Sequence, residues 1–278
     1  MMKPEIKGTY TFEKRRIGKD RIPTLLFSHE REEPQRAVIC LHGWTGSKES
    51  MLTHCLKMAD AGFLSISIDA RMHGERLDPE FWRKFGENFP RTFFSVVTNT
   101  AKDIIQVVDY LEARFGTCTG RIGLMGVSMG GFITLVAATL EKRLEAVASV
   151  IGTANFPLFI KRMLSLKVFP FKEKPMSSPD EETRNLFESF DPMKRLSTIP
   201  PTAVLLIGGL QDPFIPKEGI TQLYDALKPY YDDCPDRLKM HLYNVGHAYT
   251  AEMESEVIQW FDKHLHVSNP SDYDNGFG

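Results

Sequence analysis

Cysteine is scarce in this chain: 278 residues hold four, Cys40, Cys55, Cys118 and Cys234, far apart and without a C-x-x-C pair. That spacing points away from a zinc site or a disulfide-stapled scaffold, and the four are expected to be reduced structural thiols. Long hydrophobic runs are missing as well. No stretch approaches the ~18 uninterrupted apolar residues of a membrane span. The opening Met1-Met2-Lys3-Pro4-Glu5-Ile6-Lys7 lacks the apolar segment that forms the centre of a signal peptide. The expectation is a cytoplasmic protein with no membrane partner. Nor does one sign of charge dominate, since 34 Lys and Arg stand against 36 Asp and Glu, a formal net charge of −2. Without a basic field to gather a phosphate backbone, nucleic acid is not an expected partner.

What is present is ordinary globular material, 42% hydrophobic and 25% charged, enough for one large α/β domain spanning residues 1–278. Thr9 to Ile17 and Ile22 to His29 alternate on either side of Gly18-Lys19-Asp20-Arg21 and predict an antiparallel hairpin. From Ala37 the texture changes. The runs Ala37–Leu41, Phe63–Asp69, Arg121–Val127, Ala146–Ile151, Ala203–Ile207 and Leu238–Tyr243 are near-continuously apolar or short and β-prone, as strands covered on both faces are. Between them, helical spacing marks Met51–Ala59, Thr98–Phe115, Ser128–Leu140, Lys217–Leu227 and Thr250–Leu265. The stretch between Asp69 and Thr98 reads as irregular. This alternation predicts a mostly parallel central sheet with the N-terminal hairpin added and helices on both faces. Residues 153–200 interrupt the rhythm. They contain Phe156, Phe159, Met163, Leu166, Val168, Phe169 and Phe171, and then the polar Ser177-Ser178-Pro179-Asp180-Glu181-Glu182. So many aromatics in an excursion need something apolar to cover, so a short helical cap is expected. The tail from Val267 to Gly278 is polar and is expected to fray.

Gly126-Val127-Ser128-Met129-Gly130-Gly131 matches G-x-S-x-G, between a predicted strand and a predicted helix. The glycines suit a strand that reverses into a helix within a few residues, with no room for side chains around the serine. A phosphate cradle is the rival reading, but neither the dinucleotide nor the P-loop spacing is present. A serine hydroxyl is a weak nucleophile near neutral pH and needs a base, itself oriented by an acid. Asp212 follows the strand that ends in Leu205-Leu206-Ile207, and His247 follows the next, so all three residues fall beyond the carboxyl ends of strands in the order Ser, Asp, His. Asp191, Asp232, Asp233, Asp236 and His241 are poorly placed by comparison. Leu41-His42-Gly43-Trp44-Thr45-Gly46 follows the first buried strand and fits the need for an oxyanion donor, so the backbone N–H groups of Trp44 and Met129 are the expected pair. His42 reads as a histidine bracing that loop. Asp69-Ala70-Arg71-Met72-His73-Gly74-Glu75-Arg76 reads as a hydrogen-bonded loop shaping one pocket wall, and His42, His54 and His73 show no metal-ligand spacing. Trp44, Phe81, Trp82, Phe156 and Phe159 are the expected pocket residues.

With these motifs the chain resembles bacterial α/β-hydrolase carboxylesterases of the dienelactone-hydrolase and prolyl-oligopeptidase-related branch. The likeness runs through His42–Glu49, His73–Arg76, Gly120–Gly131 and the Asp212 and His247 loops. It implies an α/β-hydrolase fold and a serine esterase acting on small-molecule acyl esters through an acyl-enzyme, with no cofactor and no metal. Ser128, Asp212 and His247 would be nucleophile, acid and base, and Trp44 and Met129 the oxyanion donors. Dienelactone hydrolases proper use cysteine where this chain has Ser128. Prolyl oligopeptidases carry a large gating domain, and only some thirty residues precede the first core strand here, so peptide hydrolysis is the less expected activity. Thioester or peptide hydrolysis, and a non-catalytic binding role, remain the alternatives.

Overall fold

Side chains alternate faces along a strand, so a sheet buried on both sides must spend apolar residues at every position. The strand Ala37–Leu41 does this: Ala37, Ile39 and Leu41 enter one apolar cluster, while Val38 and Cys40 enter the other. The computed structural model of the chain describes residues 9–30, 36–116, 121–166 and 179–265. Within them eight strands form one sheet: β1 (Tyr10–Ile17), β2 (Ile22–His29), β3 (Ala37–Leu41), β4 (Leu64–Ile68), β5 (Ile122–Val127), β6 (Leu144–Val150), β7 (Ala203–Gly209) and β8 (Leu238–Tyr243). Their spatial order is β1-β2-β4-β3-β5-β6-β7-β8. The hairpin β1–β2 pairs antiparallel and joins β4 antiparallel, and every later pair is parallel. This is the mostly parallel sheet with an added hairpin expected from the alternation of elements, and it agrees with the α/β-hydrolase fold that the resemblance implies.

Among the described residues eight α-helices cover the sheet: α1 (Leu52–Asp60), α2 (Phe81–Glu87), α3 (Phe89–Phe115), α4 (Met129–Leu140), α5 (Phe156–Ser165), α6 (Glu181–Phe190), α7 (Lys217–Leu227) and α8 (Ala251–His264). Buried residues of α3, α4 and α7 belong to one cluster and those of α1 and α8 to the other, which gives a layer of helices on each face. No helix among the described residues is long and apolar enough to cross a membrane.

Residues 70–97 are not the irregular stretch expected. They contain α2 and the first nine residues of α3, which runs for 27 residues instead of starting at Thr98. Two local features make this possible. Asn88 caps α3, its side chain accepting a hydrogen bond from the Arg91 amide at 3.1 Å. Pro90 sits in the first turn, where its missing N–H leaves no intrahelical bond unmade. Of the expected cap, α5 and α6 are described, whereas Val168, Phe169, Phe171, Ser177 and Ser178 lie outside the described residues, as do Cys118, the opening residues Met1–Lys7 and the tail Val267–Gly278.

Candidate active site

Ser128 stands between β5 and α4 with φ 55° and ψ −114°, a conformation L-residues rarely adopt. The neighbouring glycines make that turn possible. A Cβ on Gly126 would lie 2.1 Å from the Gly130 carbonyl oxygen, and one on Gly130 would lie 2.5 Å from that of Leu41. Strand, turn and helix are thus pressed together closely enough that only hydrogen fits at either position. The Ser128 amide donates to the Val150 carbonyl at 2.8 Å, which fixes the turn to the end of β6.

Asp212 lies beyond β7 and His247 beyond β8, and backbone hydrogen bonds sew their loops together. Leu210 N–H donates to Tyr243 O at 2.8 Å and Gln211 N–H to Val245 O at 3.0 Å. Gly209 permits the approach, because a Cβ there would come within 2.6 Å of the carbonyl oxygens of Val245 and Gly246. The structure brings the three side chains together. Asp212 Oδ2 accepts from His247 Nδ1 at 2.7 Å, and His247 Nε2 lies 3.0 Å from Ser128 Oγ. Asp212 is buried, and its other oxygen accepts the amides of Phe214 at 2.8 Å and Ile215 at 3.0 Å. That leaves Oδ2 for the imidazole. With Nδ1–H committed to the carboxylate, Nε2 presents its lone pair to the serine hydroxyl, which donates to it.

The turn after β3 lies against this serine. Gly46 N–H donates to Gly43 O at 3.1 Å, and a Cβ on Gly43 would stand 3.5 Å from Ser128 Cβ. Trp44, the second residue of that turn, lines the same cavity as Ser128, and Met129 supplies the first amide of α4. His42 braces the turn as expected. Its Nδ1 donates to Gly43 O at 2.8 Å, its Nε2 accepts from Ala70 N–H at 3.1 Å, and burial pushes its pKa down to about 4, so the ring is neutral. The Asp69–Arg76 loop is hydrogen-bonded, but it does not line the pocket as expected. Asp69 is buried and accepts from Lys48 Nζ and the Lys48 amide, both at 2.8 Å, and from the Glu75 amide at 3.0 Å. The loop acts one layer back, where the His73 ring packs on Trp44 at 5.0 Å.

In front of Ser128 and His247 lies a cavity of about 530 Å³, lined by Trp44, Trp82, Phe159 and further apolar side chains. Phe81 and Phe156, expected in its wall, stand behind it, Phe81 against Trp44 at 5.2 Å and Phe156 against Phe94 at 4.4 Å. Sequence reasoning missed Phe85, Phe89, Phe93, Phe132 and Phe214, which do line it. Phe85, Phe89 and Phe93 repeat at intervals of four, a helical signal that was present in the stretch read as irregular. The competing residues are engaged elsewhere: Asp191 caps a turn at Met193, and His241 bonds Glu256 at 2.9 Å. Among the described residues no group of three or more His, Cys, Asp or Glu converges in the manner of a metal site.

Residues 57–268 match the prolyl oligopeptidase family. The chain belongs to that family. It is a hydrolase of the α/β-hydrolase fold. YitV of Bacillus subtilis is 28% identical over 234 residues, covering 82% of this chain and 89% of YitV. The esterase YjfP of Escherichia coli is 22% identical over 244 residues, covering 85% and 92%. Among solved structures, TT1662 from Thermus thermophilus superposes with a TM-score of 0.76 at 23% identity over 94% of this chain and 100% of that one. The Pyrococcus furiosus esterase Pf2001 gives 0.66 at 16% identity over 96% and 97%.

Proposed function

We propose that this hydrolase is a serine carboxylesterase, with Ser128 as nucleophile, His247 as general base and acid, and Asp212 as the group that orients the imidazole. The observation that carries the reading is the continuous relay from the buried Asp212 carboxylate through His247 to a serine held at positive φ. Ser128 Oγ attacks the ester carbonyl as its proton passes to His247 Nε2. The Asp212 carboxylate stabilises the imidazolium so formed without taking the proton itself. The carbonyl oxygen, now negative, lies between the Trp44 and Met129 amides. Collapse expels the alcohol, which takes the proton from Nε2 and leaves Ser128 acylated. Water, deprotonated by the same nitrogen, then releases the acid.

Ester rather than peptide hydrolysis fits the cavity chemistry. Its lining among the described residues includes no Asp, Glu, Lys or Arg, so nothing there would pair with the ammonium or carboxylate of a peptide terminus. The name of YjfP agrees with an ester substrate. Within the segment 153–200, α5 acts as the cap, its Phe159 and Met163 reaching the cavity. Replacing Ser128→Ala tests the assignment with ester, thioester and aminoacyl-peptide substrates in parallel. Hydrolysis of a simple ester falls by at least about three orders of magnitude. Retention of most of that activity, or a preference for the peptide, rejects it.

A further inference from the structure

The direction of proton transfer says which half of an ester occupies which part of the cavity. The departing alcohol must take its proton from His247 Nε2, so it lies on the imidazole side, where the His247 ring meets Phe214 at 5.2 Å. The acyl group then extends the other way, past the Trp44 amide and over the Trp44 indole. That side is walled by aromatic rings that hold one another. Trp44 lies 4.8 Å from Phe85 and 5.4 Å from Phe93, and Phe159 lies 5.1 Å from Phe93 and 4.8 Å from Phe132. Phe89 closes the set between Phe93 at 5.5 Å and Phe159 at 6.1 Å. Because these rings come from α2, α3, α4, α5 and the turn after β3, the wall is fixed by packing across the fold.

We propose that the acyl half of the substrate is an uncharged arylalkyl group of phenylacetyl or phenylpropanoyl size, seated among Trp44, Phe85, Phe89, Phe93, Phe132 and Phe159. The inference rests on the esterase reading and adds the substrate class. An acetyl group would leave the aromatic side of the cavity, whose two sides together hold about 530 Å³, largely unfilled. A phenyl ring would gain the tilted and edge-on contacts that the wall residues already make with one another. A charged acyl group would be desolvated with no partner. Trp82 supplies the open side. It lines the cavity yet is 51% exposed, with its ring edge-on to Phe81 at 5.0 Å and Phe85 at 5.9 Å, and so stands over the seated ring at the mouth.

The test is kcat/KM for ethyl acetate, ethyl phenylacetate and monoethyl succinate, on the unaltered protein and on Trp82→Ala and Phe159→Ala. Ethyl esters keep the alcohol side small and constant. Phenylacetate is expected to exceed acetate by at least about tenfold, and succinate to fall below acetate. The phenylacetate-to-acetate ratio should drop about threefold or more in Trp82→Ala, a readout that a general loss of activity does not move. Acetate hydrolysed through Ser128 as fast as phenylacetate, or a ratio unmoved by Trp82→Ala, overturns this proposal and leaves the esterase reading standing. If no ester is hydrolysed and a fluorophosphonate does not label Ser128, both fall.

Discussion

His42 Nδ1 donates a hydrogen bond to the Gly43 carbonyl at 2.8 Å, and that carbonyl belongs to the same peptide group as the Trp44 N–H. Because a trans peptide sets C=O and N–H in opposite directions, holding the oxygen aims the hydrogen. Gly46 N–H, at 3.1 Å, holds the same oxygen from a second side. His42 is thus a positioning residue for the proposed oxyanion donor. His42→Leu keeps bulk and removes both ring nitrogens. Steady-state kinetics should then show kcat reduced by about tenfold with KM little changed, since the donor acts on the transition state more than on the bound ester. Unchanged kcat in a folded variant would mean that Gly46 alone suffices.

The same residue makes stability depend on pH. Burial lowers the His42 pKa from 6.5 to about 4 and lowers that of His73 in the same direction. Between those pH values the unfolded chain binds more protons than the folded one, so stability rises with pH across this window. On acidification it is lost progressively from about pH 6.5 until it is exhausted near pH 4, a loss of about 3 kcal/mol from His42 alone. Urea denaturation at pH 7 and pH 4.5 should show this fall, and a smaller one in His42→Leu. An equal fall in both chains would assign the acid sensitivity to other groups.

Asp212→Asn isolates the orienting role. The amide oxygen can still accept the Phe214 and Ile215 amides, so the fold should persist with its melting temperature nearly unchanged. The amide NH2 would face His247 Nδ1 and favour the tautomer protonated on Nε2, which cannot accept the serine proton. Ester hydrolysis should fall by about 10³–10⁴-fold. A loss below tenfold would show that the imidazole needs no carboxylate.

Two glycines should respond in opposite ways to alanine. Gly126→Ala puts a methyl 2.1 Å from the Gly130 carbonyl oxygen, a backbone atom that cannot move without dismantling the serine turn, so loss of soluble protein or of several degrees of melting temperature is expected. Gly86, inside α2, has nothing within 4 Å of an added Cβ. Gly86→Ala should stabilise by about 0.5–1 kcal/mol through helix propensity. Thermal melts of both variants decide it.

The sheet and the serine turn were legible because local rules governed them. The hairpin turns where Gly18 accepts the left-handed conformation, and its strands pair from Ile17 opposite Ile22 out to Tyr10 opposite His29, with β2 the buried strand and β1 the exposed edge. Ser128, Asp212 and His247 could be located because parallel strands deliver their following loops to one rim. The α2–α3 region was illegible for the opposite reason. Phe85, Phe89 and Phe93 face a cavity as well as the core, so their spacing of four is overlaid by Trp82 and Phe94, and Pro90 reads as a helix breaker until Asn88 is seen to cap the helix in front of it. Phe156 and Phe81 were placed in the wall because a sequence shows which residues are aromatic and not which layer they occupy.

The most direct measurement is to mix enzyme with ester, quench with acid within the first turnovers, and map the covalent adduct by mass spectrometry. The account predicts one added acyl group on the peptide containing Ser128, absent from Ser128→Ala and short-lived at neutral pH when His247 is intact. Rapid hydrolysis with Ser128 unmodified at every quench time, and undiminished in Ser128→Ala, would contradict it.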